Sequence, residues 1–241
     1  MGWNISDSEV LEDAIFEMKM KLAQEIGVQK GMTVVDLGCG QGGFTAALAK
    51  TVGAHGKVVA VDISEEYLEE FMGRLDKYGV KNKVTFIQID AADLKSVIFD
   101  EAADLVASYR LLEELKQPRT MGKIAKEMAR IVKKGRKVCL TELSTRARNE
   151  AEETYIRLHR ESGDFFFGRG EIVEAMKNAD LKSVHVERFD TGIWFSPGVA
   201  KQNLGFAQVW FDENVEKNLG RLIDSYGMKY PVLLIFSGKK N

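Results

Sequence analysis

The sequence contains little cysteine and no long apolar run, and each shortage argues against a class of protein. Only two cysteines, Cys39 and Cys139, occur in 241 residues, and neither has a nearby partner in a metal-like spacing. We therefore expect a reducing compartment and no metal site. The apolar runs are far shorter than the roughly 20 residues that span a bilayer, and no signal peptide is recognisable. A cytoplasmic location is the resulting prediction.

The chain also lacks an excess of charge of either sign. Lysine and arginine number 34 and aspartate and glutamate 36, for a formal net charge of -2. Proteins that mainly hold nucleic acid are usually basic, so a nucleic-acid partner is disfavoured. Residues 116–137 depart from this balance, because they hold nine basic side chains and one acid, Glu127. This basic stripe could face RNA or could be a solvated helix face and turn, and the balanced total favours the solvated face.

What is present is a globular composition, 45% hydrophobic and 29% charged, with a length that suits one domain. Apolar strands alternate with amphipathic helices, which indicates an open parallel α/β sheet. The predicted strands cover residues 33–37, 57–62, 84–90, 103–108, 137–143, 184–189 and 231–237. The predicted helices cover residues 10–26, 43–52, 64–78, 118–132, 149–161, 171–179 and 212–226. A capping box of Ser6 and Glu9 begins the first helix, and Ser64 is the expected N-cap of the third.

The most informative segment is the glycine-rich turn GCGQG at residues 38–42, which follows the first predicted strand with Asp36 just before it. Glycines let a backbone approach a ligand closely where a strand turns into a helix, although such a turn alone is weak evidence. Asp62 ends the next strand about 20 residues further on, a spacing that lets a carboxylate accept ribose hydroxyls. Asp90 ends the third strand. These groups therefore gather at the carboxyl ends of neighbouring strands, where open α/β sheets bind ligands.

Together these segments resemble the class I S-adenosylmethionine-dependent methyltransferases, from about residue 31 to residue 143. The segments are DLGCGQG, VDIS, DAADL, DLVASYRLLEEL and ARIVKKGRKVCLTEL. The small-molecule branch of quinone and sterol methyltransferases is the most similar, although KKGR at residues 133–136 replaces its usual proline–glycine turn. A pyrophosphate-binding dehydrogenase is disfavoured, because its turn usually lacks the preceding acid and it would not need Asp90.

The resemblance implies a Rossmann-like α/β fold whose seven-stranded, mostly parallel sheet has its last strand antiparallel. We expect a single domain, residues 1–241, with a small helical cap. Within it, residues 1–30 are predicted to form an N-terminal helical lid and residues 31–143 the cofactor-binding core. Residues 144–180 and 191–228 are predicted to form the substrate cap, since long insertions are often functional.

The resemblance also implies which residues bind S-adenosylmethionine and, after transfer, S-adenosylhomocysteine. The backbone of Gly38 and Gly40, oriented by Asp36, would hold the methionyl part of the cofactor. The helix that starts after Gly42 would favour the cofactor carboxylate, as helix N-termini favour anions.

The resemblance implies that residues at the ends of the next two strands bind the nucleoside part of the cofactor. Asp62 would accept the ribose hydroxyls, with Ile63 against the adenine face. Asp90 would accept from the adenine amino group, with the backbone of Ala91 beside it.

Residues near the methyl group and the acceptor are less well defined by pattern. Ser108 and Tyr109 would lie beside the methyl group, according to the resemblance. No catalytic residue is identified, because a general base is optional for methyl transfer. Tyr155 and His159 share a helix face and are candidates to line the acceptor, although His159 could instead face solvent. Glu142 could reach the pocket or merely lie at its solvated rim.

Aromatic side chains are further candidates to line an apolar acceptor, above all Phe166 and Trp194. Phe165, Phe166 and Phe167 cannot all face one core, so at least one is expected at a pocket or an interface. We predict methyl transfer to a small, partly apolar acceptor by a monomer or homodimer. The alternatives are an RNA-modifying methyltransferase that uses the basic stripe and a non-catalytic sensor of the cofactor.

Overall fold

The computed structural model describes residues 3–5, 8–115, 117–203 and 213–241. Its strands are β1 (Trp3–Ile5), β2 (Thr33–Leu37), β3 (Lys57–Asp62), β4 (Val84–Gln88), β5 (Ala103–Tyr109), β6 (Val132–Leu143), β7 (Lys182–Phe189), β8 (Ile193–Phe195), β9 (Met228–Lys229) and β10 (Leu233–Lys239). Its α-helices are α1 (Ser8–Glu25), α2 (Gly43–Thr51), α3 (Leu68–Lys77), α4 (Pro118–Ile131), α5 (Glu150–Glu161), α6 (Arg169–Asn178), α7 (Pro197–Asn203) and α8 (Glu213–Tyr226). The predicted cap residue Ser6 lies outside the described residues.

The chain divides into two compact units. The larger unit comprises Lys19–Glu142, Phe167–Glu187 and Leu234–Asn241, and the smaller unit comprises Met1–Met18, Leu143–Phe166 and Arg188–Leu233. Among the helices of the described residues, none is long and apolar enough to cross a membrane.

The principal sheet has seven strands in the order β4-β3-β2-β5-β6-β10-β7. The pairs β4–β3, β3–β2, β2–β5 and β5–β6 are all parallel. The last strand runs the other way: Lys240 N donates to Arg136 O, while Ser144 N donates to Val232 O, so the end of β10 meets the start of β6. The prediction of a mostly parallel seven-stranded sheet with its last strand antiparallel is confirmed.

The strand order reverses beside β2, because β3 lies on one side of it and β5 on the other. At such a switch point the connections leave in opposite directions, which opens a crevice beyond the carboxyl ends of the strands. β2 is apolar and buried along most of its length, with Val34, Val35 and Leu37 at 0–1% exposure. Asp36 is the one polar residue of this strand that is buried as deeply, at 1% exposure.

The start of the third helix differs from the prediction. Helix α3 begins at Leu68 rather than just after Ser64. The Ser64 hydroxyl instead accepts a hydrogen bond from Glu66 N at 3.0 Å, and Leu68 N donates to Glu65 O. Ser64 therefore closes a short turn of its own, which is the local alternative to capping that serine offers.

The predicted third and fifth strands also end and begin elsewhere. β4 ends at Gln88, which leaves Asp90 in the turn that follows. The segment at residues 133–136, expected as a turn before the fifth strand, belongs to β6. Its pairing with β5 shifts register between Ala103 and Leu105, and Gly135 has a φ of 71°. The extra residues are therefore accommodated as a bulge within one strand.

The smaller unit contains a three-stranded sheet in the order β1-β8-β9. β1 pairs with β8 in parallel, and β8 pairs with β9 in antiparallel fashion. Helix α5 begins where predicted, because the Asn149 side chain accepts from Glu152 N at 3.0 Å as an N-cap. The insertion before the last strand was predicted, but its short elements β8, α7 and β9 were not.

Candidate functional site

Three glycines of the turn between β2 and α2 have left-handed backbone conformations. The φ angles of Gly38, Gly40 and Gly42 are 72°, 45° and 78°. A Cβ on Gly38 would lie 2.5 Å from Leu111 Cδ1, and one on Gly42 would lie 2.6 Å from Phe71 Cδ2. A Cβ on Gly40 would meet nothing within 4 Å. The turn therefore requires glycine for its backbone, and its middle glycine leaves an open backbone surface.

The same turn is fastened to the end of β3. Gly38 N donates to Val61 O at 2.8 Å, and Gly40 N donates to Asp62 Oδ2 at 2.8 Å. The other carboxylate oxygen, Oδ1, accepts from Ser64 N at 3.1 Å. Each oxygen has a second lone pair, so the Asp62 carboxylate is held in position and can still accept from a hydroxyl group.

Asp36 is a buried carboxyl group with one oxygen left unsatisfied. Its Oδ2 accepts from the Thr45 hydroxyl at 2.6 Å, while Oδ1 has no hydrogen-bond partner. Burial raises the pKa of Asp36 to about 7, against the opposing hydrogen bond from Thr45 and the attraction of Lys19. A buried polar atom without a partner is costly and calls for an explanation, such as an ordered water, an ion or a functional role. Asp36 is therefore a candidate polar group beside the glycine turn.

The end of β5 presents Ser108 and Tyr109 on opposite faces of the sheet, since neighbouring side chains alternate. Ser108 is fully buried, and its hydroxyl has no hydrogen-bond partner. The Tyr109 ring packs on Phe44 of α2, with ring centroids 5.3 Å apart, and the Lys19 ammonium lies 4.8 Å from its centre. Tyr109 thus lies on the face that carries the helix after the glycine turn.

The residues predicted for the nucleoside lie at two adjacent strand ends, because Asp62 pairs with Gln88. Ile63 is 67% exposed, and Ala91 is buried. The Asp90 side chain is exposed, and its Oδ1 accepts from Ala92 N at 2.8 Å. The structure therefore brings the predicted nucleoside residues together at one sheet edge.

Two charged residues that the sequence analysis did not single out, Arg110 and Glu113, lie just beyond β5. Arg110 has a left-handed φ of 57°, and its Nη2 lies 2.5 Å from Glu113 Oε1. Leu112 N donates to Glu142 Oε1 at 3.2 Å. Glu142 is buried, so the solvated-rim alternative for it is wrong. Burial and the neighbouring Glu113 raise the pKa of Glu142 well above its ordinary value.

Two of the predicted acceptor-lining residues are in contact in the smaller unit. The Tyr155 and His159 ring centroids are 4.6 Å apart. His159 Nδ1 lies 2.6 Å from Asp164 Oδ2, and the side chains of these two residues are only 17% and 14% exposed. The solvent-facing alternative for His159 is therefore wrong. Asp164 was missed, because the loop that brings it back onto α5 leaves no periodic pattern.

The remaining aromatic candidates differ in exposure. Phe165 is 49% exposed and Trp194 is 40% exposed, whereas Phe166 is half-buried. The Trp194 ring lies against Gly227, where an added Cβ would be 2.7 Å from its Nε1. Their contact with an acceptor stays a prediction. Trp210, a further aromatic residue of the predicted cap at residues 191–228, lies outside the described residues.

The basic stripe is partly neutralised by the protein itself. Arg130 pairs with Glu127 at 2.8 Å and with Asp100 at 2.7 Å, and Lys133 pairs with Asp104 at 2.8 Å. These pairs hold α4 and β6 to neighbouring elements of the larger unit. They favour the structural explanation of this segment over an RNA-binding surface.

Comparison with known sequences finds a methyltransferase domain family whose model matches residues 28–194. The ubiquinone/menaquinone biosynthesis C-methyltransferase of Idiomarina loihiensis is 31% identical over 118 residues, which are 49% of this chain and 45% of that protein. The sterol 24-C-methyltransferase of Aspergillus fumigatus is 29% identical over 213 residues, 81% of this chain and 55% of that protein. The chain thus spans about half the length of these curated relatives.

Comparison with solved structures finds the same fold. A cyclopropane-fatty-acyl-phospholipid synthase-like protein from Lactobacillus casei superposes with a TM-score of 0.73 at 15% identity, covering 99% of this chain and 95% of that chain. The geranyl diphosphate C-methyltransferase of Streptomyces coelicolor, in complex with Mg2+, geranyl diphosphate and S-adenosyl-L-homocysteine, has a TM-score of 0.61 at 13% identity. It covers 93% of this chain and 79% of that chain. At these identities the likeness establishes the fold alone.

Proposed function

Because this chain belongs to the methyltransferase domain family that its residues 28–194 match, we propose that it transfers a methyl group from S-adenosylmethionine to a small acceptor. The observation that carries the proposal is the glycine turn, whose left-handed backbone donates a hydrogen bond to Asp62. Asp36, just before this turn, has one buried carboxyl oxygen without a hydrogen-bond partner. The relatives named above are methyltransferases for quinones and a sterol, and a fold neighbour was crystallised with S-adenosyl-L-homocysteine.

The chemistry of several residues of the larger unit supports this cofactor. Gly38 and Gly40 would present backbone to the methionyl part, and the Asp36 oxygen that has no hydrogen-bond partner would be an acceptor for it. The carboxylate of Asp62 would accept the ribose hydroxyls, a role compatible with its two backbone hydrogen bonds. Ile63 would cover one face of the adenine.

The protein's part in the reaction is mainly positional. When bound, S-adenosylmethionine supplies an activated methyl group on a sulfonium. Ser108 and Tyr109 would orient the reacting end, since they end the strand next to the glycine turn. Holding the acceptor in line with the methyl group and excluding water supplies much of the rate in such a transfer. The reaction therefore needs no strong general base unless the acceptor is a hydroxyl or a carbon acid.

We propose a small, partly apolar acceptor. The named quinone and sterol methyltransferases support this, as do the aromatic candidates Tyr155, Phe166 and Trp194 of the smaller unit. We further propose that the enzyme acts in the cytoplasm as a monomer or homodimer. The reducing environment is supported by Cys39 and Cys139, which are both buried free thiols.

The cofactor part of the proposal is tested by calorimetry with S-adenosylhomocysteine. Asp62→Ala should weaken binding at least about tenfold, because a hydrogen-bonded carboxylate partner of the ribose is lost. The matched control is Asp76→Ala, which removes an exposed carboxylate that pairs only at the surface with Lys81. Unchanged affinity of Asp62→Ala would remove the ribose assignment.

The transfer itself is tested by incubating the protein with methyl-labelled S-adenosylmethionine and a cell extract. A labelled small molecule is expected, and its structure would identify the acceptor. Binding of S-adenosylhomocysteine without any labelled product would instead point to a protein that senses the cofactor.

A further inference from the structure

The side chain of Arg74 connects helix α3 to the glycine turn. Its Nη1 donates a hydrogen bond to the backbone carbonyl of Gln41 at 2.6 Å, across 33 positions of the sequence. Its Cδ lies 3.8 Å from the position that a Cβ on Gly43 would occupy, which is an ordinary van der Waals distance. The arginine is half-buried. A charged donor is therefore brought from a separate helix to a backbone carbonyl of the turn.

Helix α3 is anchored beside the point where Arg74 leaves it. Phe71, three residues earlier, is fully buried. Its ring lies over Gly42, where an added Cβ would be 2.6 Å from Cδ2, and it packs on Phe86 of β4 with ring centroids 5.4 Å apart. Side chains three residues apart lie on the same face of a helix. Phe71 and Arg74 therefore both reach the glycine turn from one face of α3.

The peptide group between Gln41 and Gly42 is held at both of its polar atoms. Gly42 N donates to Cys39 O at 2.9 Å within the turn, and Gln41 O accepts from Arg74. In a trans peptide the N–H and the C=O point in opposite directions, so both hydrogen bonds specify one orientation of the group. Gly42 has a φ of 78°, but glycine adopts either sign of φ about equally well. Glycine alone therefore does not fix the orientation, and the charge-assisted bond from Arg74 favours the one observed.

This peptide group lies between two parts of the turn that are proposed to contact the cofactor. Gly40 comes before it, and Gly43, the first residue of α2, comes after it. Rotation of the group would redirect the backbone on both sides, because the peptide planes are rigid and are joined only through the Cα atoms. We infer that Arg74 is a positioning residue of the cofactor site, which holds the Gln41–Gly42 peptide group in the orientation that binds S-adenosylmethionine. The inference rests on the proposed function.

The contact of Arg74 with the turn is tested without any ligand, by hydrogen exchange of backbone amides followed by NMR. Arg74→Met keeps an apolar stem and removes the donor. We expect it to speed exchange of the Gly42 amide at least about tenfold, because a hydrogen bond from a charged group contributes that much or more to the closed form. The Gly38 amide, which donates to Val61 O, should exchange as in the wild type. The matched control is Lys77→Met, which removes an exposed lysine from the same helix.

Calorimetry with S-adenosylhomocysteine tests the consequence for the cofactor. Arg74→Met should weaken binding by about threefold to tenfold, because the apparent affinity falls with the fraction of molecules whose turn has the binding orientation. Arg74→Lys, which can still donate to the same carbonyl, should recover most of that loss, and Lys77→Met should bind like the wild type. Saturating S-adenosylhomocysteine should also restore slow exchange of the Gly42 amide in Arg74→Met, because the ligand shifts the population towards the orientation that it binds.

Several outcomes would overturn the role of Arg74. Unchanged exchange of the Gly42 amide in Arg74→Met would show that the arginine does not hold the turn, and unchanged S-adenosylhomocysteine affinity would show that its contact does not serve the cofactor. Faster exchange of Gly38 and Gly42 together, with a lower melting temperature, would indicate general destabilisation instead. A wild-type protein that does not bind S-adenosylhomocysteine would overturn the proposed function, and the exchange measurement would still report separately on Arg74.

Discussion

At the scale of single residues, Asp36 is a candidate binding residue whose burial makes the stability of the folded protein depend on pH. Its carboxyl is fully buried, and burial raises its pKa from 3.8 to about 7. Between these values the folded protein holds a proton that the unfolded chain releases. The contribution of Asp36 to the unfolding free energy is therefore fully present below about pH 4 and is lost as the pH rises towards 7, with a slope of up to about 1.4 kcal/mol per pH unit.

Asp36→Asn removes this titration and keeps the shape of the side chain. We expect the unfolding free energy of the variant to lack the decline of the wild-type value between pH 5 and pH 7, so that the variant gains relative stability as the pH rises. Urea unfolding of both proteins without ligand at pH 5, 6, 7 and 8 measures this. Asp76→Asn removes an exposed charge instead and should follow the wild-type curve. Parallel curves for Asp36→Asn and the wild type would show that Asp36 stays charged in the folded protein.

The site residues that could be predicted from the sequence are those whose positions follow from a local turn or the end of a strand. Gly38, Gly40 and Asp62 belong to one turn and one strand end, so their spacing along the chain predicts their meeting. Lys19 and Asp164 gain their contacts through tertiary packing. Neither the helix period of Lys19 nor the loop before Asp164 indicates which group it will meet.

At the scale of elements, a buried ion-pair network holds the start of α5. Glu152 is fully buried and accepts from Arg148 Nη2 at 2.6 Å, and Lys229 Nζ of β9 lies 3.2 Å from the same carboxylate. Arg148 also pairs with Asp190 at 2.6 Å. Burial alone would raise the pKa of Glu152, but the hydrogen bonds from Arg148 outweigh it and leave the pKa below its ordinary value.

Breaking this network should be costly, since a fully buried carboxylate loses the charge-assisted hydrogen bonds it accepts from Arg148. We expect Glu152→Gln to lower the unfolding free energy by about 1–3 kcal/mol at pH 7. Glu153→Gln is the matched control on the same helix. Its carboxylate is 46% exposed and pairs with Arg160 at 3.5 Å, so its loss should cost less than about 0.5 kcal/mol. Chemical denaturation of the three proteins gives the comparison.

The pH dependence of the difference identifies its cause. A carboxylate whose pKa is lowered by folding stabilises the folded state above its ordinary pKa, and that stabilisation is lost as the pH falls through the folded value. The gap between wild type and Glu152→Gln should therefore shrink below about pH 4. A similar loss is expected for Asp190, whose pKa Arg148 lowers to about 2. A gap that is constant from pH 7 to pH 3 would indicate a packing defect instead.

Element boundaries were predictable where a single strong signal fixes them. β2 and β3 match the prediction because apolar runs end at acidic residues and glycines. The start of α3 was not predictable, because the Ser64 hydroxyl can either cap a helix or accept a hydrogen bond within a short turn. In the structure it accepts from Glu66 N in such a turn. The short strands β8 and β9 exist only by pairing with each other and with β1, so no local period predicts them.

At the scale of the whole molecule, the two units divide the predicted roles between them. Every residue predicted to bind the cofactor, from Asp36 to Tyr109, belongs to the larger unit. The four candidates to line the acceptor, Tyr155, His159, Phe166 and Trp194, all belong to the smaller unit. The fold class could be predicted from strand and helix order. The two units could not, because the chain passes repeatedly from one to the other and no linker marks the boundary.

This division predicts that cofactor affinity and acceptor affinity can be changed separately. His159→Asn and Trp194→Leu should leave the affinity for S-adenosylhomocysteine within about twofold of wild type, because no cofactor residue is altered. Once the acceptor is identified by labelling, both variants should raise the KM for the acceptor or lower kcat severalfold. The loss of one side-chain contact is enough for this, because a tenfold change in either constant corresponds to about 1.4 kcal/mol. Tyr226→Leu, which alters an exposed aromatic of the same unit, should change neither quantity. A loss of S-adenosylhomocysteine affinity in His159→Asn, with its thermal stability unchanged, would contradict the division, because the histidine would then be contributing to the cofactor site.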